Sequence, residues 1–290
     1  MLKVPLTYLY DFNHADDEMR RYIFHEFAAN GAKHLVLSDL FMSRMLSERN
    51  LGKVLTEEVN AEGLSFVDAH SVFGPYTDLN CPVPEARPEM ILRQKLALHM
   101  TAALGVKTIT IHVGNETHYP EYPLEEQFDC VRRSLDELLP LAEQLGVVIC
   151  IENIWYKINT PERLLVLKNQ FPTDALGFCY DAGHANLMAR GRDFPDSNPY
   201  KAWNGDTPVW EDHALEKMLP HVVNCHLHDN KGVRDEHRIP GYGTVDWDHV
   251  TSLLSRAPRL QVVQSEVLPV RGRDSIRDVC GAFARLAEKF

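Results

Sequence analysis

This sequence lacks long apolar runs and paired cysteines. No stretch approaches the roughly 20 apolar residues that cross a bilayer, and the N-terminal residues show no charged head followed by an apolar run and a cleavage site. The six cysteines form no CxxC pair, and three lie within apolar runs, where a free thiol behaves as a small core residue. We therefore expect a soluble cytoplasmic protein with no disulfide framework and no membrane partner.

Positive charge is also scarce. The 290 residues include 30 Lys and Arg against 41 Asp and Glu, which is a formal net charge of -11. Proteins that bind nucleic acids concentrate Lys and Arg to displace counterions from phosphates. The charge balance therefore disfavours nucleic acid as a partner.

Eight short apolar runs alternate with stretches of helical pattern. The runs are rich in β-branched and aromatic residues and nearly continuous in apolarity, which is typical of strands covered on both faces. They cover residues 4–12, 34–39, 64–73, 106–114, 147–153, 175–184, 221–230 and 260–268. Eight strand–helix units predict a parallel sheet closed into a (β/α)8 TIM barrel, and we expect one such domain over residues 1–290. The alternative is an open doubly wound sheet, but no GxGxxG motif or P-loop follows the first strand.

Glycines and capping residues set the expected helix boundaries. Helical patterns end just before a glycine three times, and Thr160 precedes a proline that suits a first helical turn. The expected helices cover residues 16–30, 88–104, 124–145, 161–171 and 274–288. Two long loops, at 191–210 and 231–243, follow strands, which places them at the active face of a barrel.

Residues that can bind metals follow six consecutive predicted strands. They are Asp68 and His70 after strand three, His112 after strand four, Glu152 after strand five, Asp181 and His184 after strand six, His226, His228 and Asp229 after strand seven with Asp235 and His237 in the next loop, and Glu266 after strand eight. In a closed barrel these strand ends meet at one mouth. Carboxylates gathered there without a cation would cost stability. A divalent metal resolves the conflict, and this mixture of donors suits Zn, Mn, Co or Fe.

Some members of this set are stronger candidates than others. Glu152, Asp181 and Glu266 each follow an apolar run directly and are the first candidates for metal ligands. His226 and His228 lie two apart on one strand and face the same side. One of the two is expected to bind the metal, and the other to orient it or to contact substrate.

The remaining candidates have several open roles. His184 could be a metal ligand, a substrate contact or part of a helix cap. His70, His112, Asp235 and His237, with His184, could form a second metal site or make polar contacts with substrate. Arg238 lies among the acids of the strand-seven loop, where a guanidinium could hold a substrate hydroxyl or phosphate.

Five segments in chain order resemble the xylose isomerase-like TIM-barrel superfamily. They are IEN at 151–153, YDAGHAN at 180–186, HLHDN at 226–230, DEHRIPGYGTVDW at 235–247 and SEV at 265–267. This superfamily includes sugar isomerases and epimerases, inosose and dehydroshikimate dehydratases, and endonuclease IV.

The resemblance implies a ligand set and a catalytic pair. Ketose epimerases of the family hold one divalent ion (Mn, Zn, Co or Mg) with residues that match Glu152, Asp181, His226 or His228, and Glu266. The two glutamates also serve as the acid–base pair, and His184, Arg238, His228 and His112 are the expected substrate contacts. Endonuclease IV has further ligands that match His70, His112, His184, Asp235 and His237, so more than one ion is possible. The longer signature that endonuclease IV has after strand six is absent. Residues 180–194 of this chain read YDAGHANLMARGRDF instead.

The leading hypothesis is a metal-dependent isomerase or epimerase of a keto-sugar or related polyol. A proton next to a carbonyl is too weakly acidic to leave at neutral pH unless the developing charge is stabilised. One glutamate would remove this proton and the other return it. The alternatives are a dehydratase of an inosose or shikimate-type ring, a multinuclear phosphodiesterase of the endonuclease IV type, and a non-catalytic sugar- or metal-binding barrel. A homo-oligomer is possible.

Overall fold

A computed structural model describes residues 2–290 of the chain. Its eight strands are parallel and close into a barrel in sequence order, so the predicted TIM barrel is confirmed. The strands are β1 (Leu6–Tyr8), β2 (His34–Leu37), β3 (Ser65–His70), β4 (Thr108–Ile111), β5 (Val148–Glu152), β6 (Leu176–Asp181), β7 (Val222–Leu227) and β8 (Val263–Ser265). Pairing of β1 with β8, from Leu6 opposite Val263 to Tyr8 opposite Ser265, closes the barrel.

Twelve α-helices are described in residues 2–290. They are α1 (Asp17–Ala29), α2 (Asp39–Ser47), α3 (Leu51–Ala61), α4 (Arg87–Ala103), α5 (Leu124–Leu145), α6 (Pro161–Gln170), α7 (Ala182–Met188), α8 (Asn198–Ala202), α9 (Ala214–Met218), α10 (Trp247–Leu254), α11 (Pro269–Gly272) and α12 (Ile276–Ala287). Each of the five expected helices is present within two residues of its predicted ends, and α5 matches its prediction. Gly146 ends α5 in the left-handed conformation, with φ of 64°, which a glycine adopts without steric cost.

Two different environments lie on either side of the sheet. Outside it, strands and helices bury a core that includes Phe24, Phe128, Phe178 and Phe283. Contacts between strands that are not neighbours, such as Asn224 of β7 with Asp68 of β3, cross the inside of the barrel. The interior therefore holds polar side chains beneath the mouth, where branched aliphatic residues dominate most TIM barrels. No helix within residues 2–290 has the length and apolarity that a membrane crossing requires.

The two long loops contact each other above the sheet. Asn198, in the β6–β7 connection, donates its backbone N–H to the carbonyl of Val233, in the loop after β7 (3.0 Å). The β7 loop is itself organised by Asp229, whose buried carboxylate accepts hydrogen bonds from backbone N–H groups of Gly241 (2.8 Å) and Val245 (3.2 Å). It also accepts bonds from the N–H of Asn230 (2.9 Å) and Nε1–H of Trp247 (3.0 Å).

We expect Asp229→Asn to lower the free energy of unfolding by about 3 kcal/mol, because an amide nitrogen cannot accept the bonds made to one carboxylate oxygen. Urea denaturation measures this change. Asp246→Asn is the matched control, since Asp246 is an exposed N-cap of α10 and asparagine caps equally well. Equal losses in the two variants would show that Asp229 has no special part in holding the loop.

Candidate metal centre and active site

A cavity of about 550 Å³ opens at the carboxyl ends of the strands. Residues that follow each of the eight strands contribute to its wall, as the barrel mouth of an enzyme requires. They include Tyr10 to Asn13, Ser38 to Leu40, His70, Phe73 and Asp78, His112 and Asn115, Glu152 and Trp155, His184, Asp235 and His237, and Glu266 and Arg271.

Four strand-end residues form the central group. Glu152, Asp181, His226 and Glu266 each offer one ligand atom within 4.8 Å of the others. Nδ1 of His226 lies 3.1 Å from Oε1 of Glu152 and 3.2 Å from Oε1 of Glu266. All four residues are buried, with Glu266 the most exposed at 6%. The two glutamates therefore converge on a single imidazole nitrogen at the base of the cavity.

The residues expected to form a second site fall into two separate groups. His70 and His112 join Glu152 on one side of the central group, with Nε2 of His112 3.2 Å from Oε2 of Glu152. The two imidazole rings lie 5.0 Å apart. Nδ1 of His70 is 2.9 Å from the carbonyl of Ser71, which leaves Nε2 free to face the centre.

His184, Asp235 and His237 form the other group, and His228 completes it. Nε2 of His237 lies 2.7 Å from Oδ2 of Asp235, and its ring stacks on that of His228 with centroids 4.0 Å apart. Nε2 of His228 is 3.1 Å from Oδ2 of Asp181, which links this group to the central one. The structure thus separates these two histidines: His226, in β7, belongs to the central group, and His228, just after β7, lies beside it.

Local backbone features hold these groups together. Asp181 caps α7 through the N–H of His184 (2.6 Å) as well as facing the centre, so the helix-cap role and the central position coexist. Asn153 exchanges two 2.9 Å hydrogen bonds with the backbone of Asp181. A Cβ on Gly183 would lie 1.9 Å from Cε1 of His228, so only glycine lets this imidazole approach α7.

The buried charges depend on one another. Burial by itself raises the pKa of the Glu152 carboxyl, but His226 and His112 outweigh it and hold that pKa well below its ordinary range. Burial opposes protonation of His237, yet the charge of Asp235 raises its pKa to about 9. Glu152 and Asp235 are therefore ionised at neutral pH, and protons on neighbouring imidazoles balance their charge.

Unpaired acceptors show that a cation fits these groups. Oδ1 of Asp235 is buried and accepts no hydrogen bond, and the buried Oε2 of Glu152 faces Nε2 of His112 at 3.2 Å without a well-formed hydrogen bond. An acceptor left in this way costs free energy unless a cation or a donor reaches it. Imidazole nitrogens and carboxylate oxygens are the donors that Zn, Mn, Co and Fe share, so the residues present suit a divalent ion of this class.

The four expected substrate contacts do not all reach the cavity. His112 and His184 line it. His228 is fully buried and is not part of the wall. Arg238 is also absent from the wall, which corrects its expected position: Nε is 3.1 Å from Oδ2 of Asp274, and the guanidinium lies over the ring of Tyr242.

Several wall residues were not expected from the sequence. Arg271 lines the cavity mouth and, among residues 2–290, makes no hydrogen bond or ion pair. Asp11 and Asp39 follow the first two strands, so the rule applied to strands three to eight would have found them. The exposed ring of Phe73 also lines the cavity, with its centroid 4.7 Å from that of the His112 ring. The sequence could not single it out, because isolated aromatic residues are common in loops.

The chain is similar to a curated protein in sequence and to several solved structures in fold. The uncharacterized protein y4fM of Sinorhizobium fredii is 26% identical over 166 residues, which are 56% of this chain and 47% of that protein. The chain thus aligns with about half the length of this curated relative. Among solved structures, a D-tagatose 3-epimerase-like protein has a TM-score of 0.74 at 19% identity, covering 98% of this chain and 96% of the other.

Two further structures share the fold. The 3-keto-D-glucoside 4-epimerase YcjR of E. coli has a TM-score of 0.71 at 17% identity, over 99% of this chain and 100% of that one. The IOLI protein, solved with a zinc atom, has a TM-score of 0.69 at 16% identity, over 97% and 95% of the two chains. The family model described as xylose isomerase-like TIM barrel matches residues 26–261. The chain therefore belongs to the xylose isomerase-like TIM barrel family.

Proposed function

We propose that this protein is a divalent-metal-dependent isomerase or epimerase of a keto-sugar or related polyol. The observation that carries the proposal is the pair Glu152 and Glu266, whose carboxylates lie within 3.2 Å of Nδ1 of His226 at the base of an open cavity. Similarity of fold to an epimerase of a keto-glucoside agrees with this assignment.

The proposed ligands of the ion are Glu152, Asp181, His226 and Glu266, with the imidazole contributing Nδ1. When bound, the ion would supply Lewis-acid stabilisation of the negative charge that develops as a proton next to a carbonyl is removed. Side chains of the protein would remove and return the proton and orient the sugar.

The two glutamates are the proposed acid–base pair. The pKa values of both carboxyls are lowered: burial raises each, but neighbouring imidazoles, His226 above all, outweigh it. Each is therefore ionised at neutral pH and able to accept a proton. In an epimerisation one glutamate removes the proton, and the other, after taking up a proton from solvent in the cavity, delivers it to the opposite face. The first glutamate then releases its proton to solvent, which restores both carboxylates. Delivery to the adjacent carbon gives an isomerisation.

The walls of the cavity are proposed to orient the sugar. His112 and His184 present imidazoles beside Glu152, where they can donate hydrogen bonds to substrate oxygens. Arg271, and not Arg238, is the proposed guanidinium contact, because it lines the mouth and no acid pairs with it. Trp155 forms an apolar part of the wall against His184, with the two rings 4.8 Å apart.

Glu152→Gln and Glu266→Gln should each lower turnover of a ketose by at least about 10²-fold, since an amide cannot relay the proton. Incorporation of solvent deuterium next to the carbonyl, followed by NMR over a panel of ketoses, measures this step directly. Glu211→Gln is the control: this glutamate pairs with Lys217 outside the cavity, and its loss should leave exchange unchanged. Exchange and metal content that persist in both active-site variants would refute the assignment.

Removal of divalent ions with a chelator should abolish this exchange, and Mn, Zn or Co should restore it. The same ions should stabilise the protein, by about 2.7 kcal/mol at a concentration 100-fold above Kd, because they bind only the folded site. Thermal denaturation with and without the ion measures the change. Asp181→Asn should weaken it, whereas Asp274→Asn, at the Arg238 pair, should not.

A second candidate function is multinuclear phosphodiester hydrolysis. It is favoured by the two additional ligand groups, since His70 and His112 share Glu152 with the central group and His228 contacts Asp181. Several ions in this arrangement could activate water and neutralise a phosphate. The net charge of -11 opposes binding of a DNA backbone.

Metal analysis and a cleavage assay separate the two functions. We expect one tightly bound ion per chain and no cleavage of duplex DNA that contains an abasic site. Three ions per chain together with cleavage would favour the hydrolase and overturn the isomerase.

A further inference from the structure

A continuous set of buried polar residues lies beneath the central group, inside the barrel. Its members are Asp68 on β3, Thr108 and Thr110 on β4, and Asn224 and His226 on β7, and none is more than 1% exposed. Their contacts join strands on opposite sides of the barrel. None of the three residues Asp68, Thr110 and Asn224 lines the cavity, so none can touch a substrate there.

Hydrogen bonds connect these residues in one line. Oγ1 of Thr110 lies 3.3 Å from Nε2 of His226 and accepts a 3.0 Å bond from Nδ2 of Asn224. The same amide nitrogen donates to Oδ2 of Asp68 (3.1 Å). Oδ1 of Asp68 accepts the hydroxyl of Thr108 at 2.6 Å. The line therefore begins at a buried carboxylate and ends on the imidazole of His226.

The direction of each bond follows from the chemistry of its groups. The Asp68 carboxylate only accepts, so it selects the NH₂ end of the Asn224 amide. That NH₂ donates to Thr110 as well, which leaves a lone pair on Oγ1 for a second donor. Without an ion, Nδ1 of His226 lies 3.1 Å from Oε1 of Glu152 and 3.2 Å from Oε1 of Glu266, so it carries a proton toward these carboxylates. If a divalent ion took the place of that proton, the remaining proton of the neutral ring would lie on Nε2 and could be donated to this lone pair of Thr110.

We propose that Asp68, Asn224 and Thr110 are positioning residues that hold His226 in the tautomer and ring orientation needed to bind a divalent ion through Nδ1. This inference rests on the proposed function of the central group. Metal-binding histidines usually donate their other N–H to a fixed acceptor, and such acceptors raise metal affinity. Cys179 also lies within 4.8 Å of His226, so an imidazole released from Thr110 has another neighbour toward which to turn.

The test compares metal affinity with the stability of the metal-free protein. Thr110→Val keeps the shape of the side chain and removes only the hydroxyl. Titration of the full chain with Co²⁺ in a calorimeter should show a 10- to 100-fold weaker Kd, with a changed visible spectrum of bound Co²⁺. Thr110→Ser, which keeps the hydroxyl, should restore the wild-type Kd.

A matched control separates positioning from simple stability. Thr101 of α4 is a fully buried threonine whose hydroxyl donates to the carbonyl of Ala97 (2.8 Å), away from the cavity. Thr101→Val should lower the midpoint of urea unfolding of the metal-free protein and leave the Kd for Co²⁺ unchanged. Asp68→Asn, of equal size, is the second test of the line of hydrogen bonds and should weaken Co²⁺ binding about 10-fold.

The possible outcomes are distinct. Wild-type protein that binds no Co²⁺ overturns both the proposed function and this inference. Wild-type binding with an unchanged Kd in Thr110→Val and Asp68→Asn overturns the positioning role alone. A loss of affinity in Thr101→Val equal to that in Thr110→Val would also overturn it, because the effect would then follow general stability.

Discussion

The mutual compensation of buried acids and imidazoles at the barrel mouth is the interaction on which the rest of this structure depends. Glu152, Asp181 and Glu266 are withdrawn from water, and such carboxylates remain ionised only beside positive charge. His226 meets two of them at one nitrogen, and His228 meets Asp181. A closed parallel barrel makes this possible, because it brings the ends of distant strands to one rim while helices shield the outer face.

The barrel interior supports this rim in layers. Above it, the loops after the strands build a cavity with aromatic and polar walls. Below it, Asp68, Thr110 and Asn224 replace the aliphatic layer of most barrels with a line of hydrogen bonds to His226. Each bond lost from such a buried layer would cost free energy, because the groups left behind have no water to replace it. The same contacts end on His226, so they also restrict the orientation of a side chain of the central group.

The histidines and the arginines show which features of the site could be predicted from sequence patterns and which could not. Alternation along the predicted seventh strand placed His226 and His228 on one side, but it could not tell which of them meets the two glutamates. Arg238 lies among acids in the chain, yet it folds back onto Asp274 and Tyr242. Arg271, with no notable neighbours in sequence, reaches the mouth instead. The path of a loop is decided by contacts with other loops, and these have no local pattern.

By itself, the sequence determined the repeat of strand and helix, the ends of five of the helices and the residues that follow each strand. These are local properties, since periodicity, caps and glycines act within a few residues of themselves. Only the tertiary structure decided that His70 and His112 group apart from His184, Asp235 and His237. Barrel closure and strand register fix which side chains meet across the interior, and both arise from packing of the whole chain.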